Sequence, residues 1–140
     1  MTVRPRRGVV RLLRLLYVWG PVVVLMAAIF VVSGSSSPPG LPASISDVMA
    51  HAVAYAALGA TMLRAVAGAD RSRITVGGVL LAVVLTVSYG LTDEIHQAFV
   101  PGRTPELRDL AADAAGAAAG AGLVWAWSIV LAVRTRRHAG

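Results

Sequence analysis

The chain has 140 residues, room for one domain, and 56% of them are hydrophobic against 14% charged, far from the balance of a water-soluble globular body. So small a body cannot bury that excess, so lipid must solvate part of it. The absence of cysteine excludes disulfides and thiolate chemistry, and the net charge of +6 is distributed in a way that argues against a nucleic-acid partner.

Residues 1–14 form a basic tail that carries Arg4, Arg6, Arg7, Arg11 and Arg14. Leu15 to Val32 is the first apolar run, close to the roughly 20 helical residues that a bilayer core needs. Arginines, an apolar run and then "SGSSS" also describe a secretory signal peptide, but its core is shorter, roughly 7 to 15 residues. A retained span is therefore the reading taken. Residues 33–46, "SGSSSPPGLPASIS", read as a polar tether held extended by Pro38, Pro39 and Pro42.

The second run, Val48 to Val66, is interrupted by His51 and Arg64. The third, Ile74 to Leu91, is expected to continue as a helix to about Phe99, where Pro101 and Gly102 suit a tight turn. Thr104 is placed to cap the next helix, with Pro105 at its first position and Glu106 behind it. The fourth run is Ala114 to Val133, and its small residues "AAGAAAGAG" let another helix backbone approach closely. Residues 134–140 are a second basic tail. The expected fold is all-α, a bundle of four transmembrane helices over residues 15–133 with short connections and both termini cytoplasmic.

The arginines set that orientation. With both ends inside, eleven arginines are cytoplasmic and only Arg103 and Arg108 are outside, as the positive-inside rule requires. The tails then face anionic lipid in a multi-pass protein of the cell membrane. The acidic residues are equally lopsided: of seven, only Asp70 falls inside.

The outer acids join a polar pattern. Asp47, His51 and Tyr55 are spaced i, i+4, i+8, one helix face descending into the membrane by about 6 Å per step. Asp47 stands in the first turn, where the helix dipole favours a carboxylate, and is expected to orient His51. Tyr89, Asp93 and Gln97 are again spaced by four, with His96 a turn from Asp93, and Asp109 and Asp113 are i, i+4 on the last helix. Ionisable groups at membrane depth cost roughly 2.5 to 3.5 kcal/mol each unless they face the bundle interior or water, so such a cluster reads as functional.

The predicted binding set is Asp47, His51, Tyr55, Tyr89, Asp93, His96, Gln97, Arg103, Asp109 and Asp113, with His51, Asp93 and His96 as candidates for acid–base chemistry. Glu94 is expected to be solvated, and Arg103 to latch onto Asp109 or Glu106. Tyr17, Trp19, Trp125 and Trp127 read as interfacial or lipid-facing. No motif calls for a cofactor: "DEIHQ" lacks the H-E-x-x-H spacing of metalloproteases. A divalent ion held by mixed oxygen and nitrogen donors stays open.

Three stretches, "SDVMAHAVAYAALG" from Ser46, "YGLTDEIHQAFVPGR" from Tyr89 and "DLAADAAG" from Asp109, together resemble the VanZ-like family of small bacterial membrane proteins. That family's pattern puts Asp, His, Tyr and Gly on one helix, then D-E-x-x-Q-x-F-x-P-G-R, then an Asp and an Asn or Asp on the next. The match runs from about Ser46 to Gly120, and Val48 stands where many members carry lysine. The resemblance implies a polytopic membrane protein of the cell envelope, in a family named for low-level resistance to teicoplanin, without implying a defined reaction. Two functions are expected in consequence. One is binding of an envelope amphiphile or lipid-linked molecule, with a bearing on glycopeptide sensitivity. The alternative is a membrane enzyme using Asp/His chemistry on such a substrate. A transporter or proton relay fits less well, because the inner halves of the spans are apolar.

Overall fold

A computed structural model describes residues 7–36 and 46–138, with side chains as far as Arg136. Four helices run in chain order: α1 Arg7–Ser33, α2 Asp47–Val66, α3 Val76–Gln97 and α4 Leu107–His138, with a 3-10 turn at Arg71–Arg73 between α2 and α3. All four are long and apolar enough to cross a membrane, and no strand occurs among the described residues. Helix α2, at 20 residues, spans about 30 Å, the thickness of a bilayer core. Many large apolar side chains face outward, Val24 and Val31 on α1 and Val53 on α2 among them, as suits a protein solvated by lipid.

Local signals explain the helix ends. Ser46 caps α2 by accepting the Met49 N–H, and Thr75 caps α3 by accepting the Gly78 N–H. Gly68, at φ +66°, turns the chain out of α2. Asp70 then organises the 3-10 turn by accepting from both the hydroxyl and the backbone N–H of Ser72. Those two hydrogen bonds hold its carboxyl below the usual carboxylate range.

Helix α1 already begins at Arg7, so residues 7–14 are helical and continuous with the first span. One expectation at a helix end is corrected. Helix α4 begins at Leu107, so Thr104 and Pro105 precede it. Its first turn hangs from the Glu106 carbonyl, which accepts the Asp109 and Leu110 N–H groups, and the Glu106 N–H is taken by the Glu94 carboxylate of α3 at 3.1 Å. A tertiary carboxylate thus does what a local Thr cap was expected to do. The tether prolines and Arg4 and Arg6 lie outside the described residues.

Helices α2 and α4 form the tightest pair. A Cβ at Gly116 would collide with the Ala52 carbonyl, and one at Gly120 with the Ala56 carbonyl. From the other side, Gly59 faces the backbone of Ala117. The small residues of α4 therefore act as a close-packing surface, as expected, and its contacts repeat every four residues at Gly116 and Gly120.

Helix α1 is docked more loosely, by a few polar ties. Pro21 lies inside it and has no N–H, so the Tyr17 carbonyl four residues back loses its helical donor. Arg64 of α2 replaces that donor: its Nη1 donates to Tyr17 O at 3.1 Å and Val18 O at 3.4 Å, while the guanidinium lies 4.5 Å from the Tyr17 ring centre. Tyr17, expected only as an interface residue, is thus also an arginine platform. Arg64→Met should cost about 1 kcal/mol of stability, the net worth of such a bond. Pro21→Ala in the same background should recover most of it by restoring a helical donor. Thermal unfolding of the two single variants and the double variant in detergent checks this; additive losses would contradict the pairing.

Candidate functional site

The polar residues gather where α1 and α3 end and where α2 and α4 begin. Each side of α3 meets a different neighbour there, and this sorts the predicted residues into two groups.

The first group ties α3 to α1. The Ser33 hydroxyl, at the end of α1, donates to Asp93 Oδ1 at 2.5 Å, and Gln97 Nε2 donates to Asp93 Oδ2 at 3.3 Å. Tyr89 donates its hydroxyl to the Met26 carbonyl at 2.6 Å. His96 stacks on Phe30 with ring centres 4.1 Å apart. Asp93 and Gln97 are each 2% exposed, so they face inward as the spacing implied. Both Asp93 oxygens are already engaged, which makes that carboxylate a clasp between helices and a poor general base. Ser33 was not anticipated, because a lone serine at the end of an apolar run carries no signal of its own.

The second group lies between α2, α3 and α4. His51 Nδ1 is 2.9 Å from Asp113 Oδ1, and Asp113 is completely buried. The carboxylate that orients His51 is therefore Asp113 on α4, not Asp47 on its own helix, because the Gly116 contact draws α4 against this face of α2. Tyr55 lies next along the face, its ring nearly parallel to that of His51 and 6.3 Å away, with the Tyr89 ring at the same distance. Gly90 makes room: a Cβ there would sit 2.9 Å from Asp113 Oδ2 and 3.1 Å from the Tyr55 ring.

Glu94, expected to be wet, is only 6% exposed. The 100–106 turn folds back over it and delivers the Glu106 N–H to its Oε2. One donor atom each from His51, Glu94 and Asp109 lie within 4.8 Å of one another. Three oxygens beside them, Glu94 Oε1, Asp113 Oδ2 and the Tyr55 hydroxyl, are buried with no hydrogen-bond partner among the described residues.

Arg103 also departs from expectation. Its Nη1 lies 3.8 Å from Asp47 Oδ2, and neither Asp109 nor Glu106 pairs with it. The turn carries it across the start of α2, where its Nε is buried and unpartnered. Arg103, Asp47, His51, Asp93 and Ser33 rim a cavity of ≈ 310 Å³ whose remaining wall is apolar: Leu25, Ala28, Ile29 and Val32 of α1, and Ala50 and Ala54 of α2.

A four-helix body with this rim and no other architecture among its described residues is a multi-pass α-helical membrane protein. The chain belongs to the VanZ/LLP1 family, whose sequence profile matches residues 16–130. No curated protein and no solved structure matches it significantly.

Proposed function

We propose that this protein binds an anionic amphiphile of the bacterial cell envelope at the outer membrane–water interface. The observation that carries the reading is the cavity: one apolar wall from α1, and one arginine at the rim with an unsatisfied donor. An acyl chain would lie along Leu25, Ile29 and Val32, while a headgroup oxygen took the free Nε of Arg103. The exposed Asp47 competes weakly, since 3.8 Å is too long for a hydrogen bond. The arginine asymmetry supports an orientation with this end of the bundle on the outer side. The trait for which the VanZ-like proteins are named fits the same pocket: holding the lipid tail of a lipoglycopeptide would lower its free concentration at the cell wall.

The test is lipid retention. Protein purified in mild detergent should carry phosphatidylglycerol in native mass spectra, in preference to phosphatidylethanolamine. Arg103→Ala should weaken that retention roughly 10- to 100-fold, since charge-assisted hydrogen bonds are worth about 1.5 to 3 kcal/mol. Equal retention by Arg103→Ala and the unaltered chain would reject the headgroup role.

A second reading has one specific observation in its favour. An imidazole held at 2.9 Å by a buried carboxylate is the arrangement of a general base, so His51 would activate a nucleophile toward a lipid-linked substrate. In that case His51→Gln abolishes turnover and leaves lipid retention intact.

A further inference from the structure

We infer that His51, Glu94 and Asp109 form a binding site for a divalent metal cation of the Zn2+ or Mn2+ class. The three side chains come from three different helices, and their donor atoms converge within 4.8 Å. The mix of one imidazole and two carboxylates suits Zn2+ and Mn2+ better than the all-oxygen set of Ca2+ or Mg2+.

Two further observations point to a cation. The first is the state of the donors. The Nδ1 of His51 is engaged by Asp113, so a proton held there leaves the lone pair on Nε2. A carboxylate behind a histidine is the usual support of a metal-ligating imidazole. Glu94 is positioned likewise: Oε2 accepts the Glu106 N–H, and Oε1 is buried without a partner. Asp113, fully buried and outside the triad, has its second oxygen unpartnered too.

The second observation is charge. Three carboxylates, Glu94, Asp109 and Asp113, surround a single imidazole. Among the described residues no arginine pairs with any of them, Arg108 beside Asp109 included, and Arg103 pairs with Asp47. Glu94 and Asp113 are buried and Asp109 half-buried, and carboxylates gathered with so little water need a positive partner or a proton. A divalent ion supplies the former, joins α2, α3 and α4, and keeps positions open for a further ligand. The site is next to the amphiphile cavity through His51 but does not depend on that reading.

The experiment uses the full chain in nanodiscs of zwitterionic lipid, stripped with EDTA, with empty nanodiscs subtracted. Titration with Mn2+ or Zn2+ should give one equivalent per chain. Glu94→Gln and Asp109→Asn should each abolish it, and Asp113→Asn should weaken it about 10- to 100-fold, as loss of an outer-shell partner does. Asp70→Asn, in the 3-10 turn between α2 and α3, should leave it unchanged. Mn2+ bound to the unaltered protein should show the 14N modulation of a coordinated imidazole in its electron spin echo, a readout that needs no variant to fold. Substoichiometric binding, bound Mn2+ without nitrogen coupling, or binding indifferent to Glu94→Gln and Asp109→Asn would each overturn the site. Lipid retained by the same samples is read separately, so failure here leaves the amphiphile reading standing or falling on its own result.

Discussion

Gly120→Ala is expected to cost the bundle on the order of 3 kcal/mol, the upper end of what overpacking does. Gly122→Ala, two positions along the same helix, is expected to be harmless or to stabilise by up to about 1 kcal/mol through helix propensity. The contrast comes from what each new methyl would meet. At Gly120 it is the carbonyl of Ala56 and at Gly116 that of Ala52, both in the body of α2. Neither obstacle is the end of a flexible side chain. Relief requires α2 and α4 to move apart, and that separation would also pull Asp113 away from His51. At Gly122 nothing lies within 4 Å. Unfolding of both variants in detergent, followed by circular dichroism, compares them directly. Equal stabilities would mean that the two helices are not in backbone contact.

The same contact shows why the sequence was legible for the helices and less so for the site. Length, apolarity and the run of small residues are local properties, and they marked out four spans and a close-packing α4. The site depends on which helix faces which. His51 has an acid one turn away on its own helix, so Asp47 looked like its partner, yet the close approach of α4 brings Asp113 to it at 2.9 Å. Glu94 looked solvated because it sits near a helix end. A turn that folds back is invisible to periodicity, and here it buries that carboxylate against the Glu106 N–H. Arg64 looked like one more cytoplasmic charge. Its role follows from Pro21, 43 positions earlier, and from a carbonyl that only a helix–helix contact could satisfy.

The second large effect falls on the buried pair itself. His51→Ala should destabilise the protein by about 3 to 5 kcal/mol, because it leaves a buried carboxylate without its partner. Asp113 is completely buried and the His51 side chain only 13% exposed, so water can replace little of what is lost. Asp113→Asn keeps an acceptor for the imidazole and should cost only about 1 kcal/mol. Replacing both residues by leucine should recover much of the loss, since it removes the burial penalty along with the attraction. Unfolding free energies of the three variants in one detergent decide the matter. A His51→Ala protein as stable as the unaltered chain would mean that Asp113 carries no charge for the imidazole to balance. The leucine pair also separates fold from function. If it folds, it does so with the apolar wall of the cavity and Arg103 intact, so it should still retain lipid while losing any metal or acid–base chemistry that needs the imidazole. A folded leucine pair that also released its lipid would place His51 in headgroup recognition, beside Arg103.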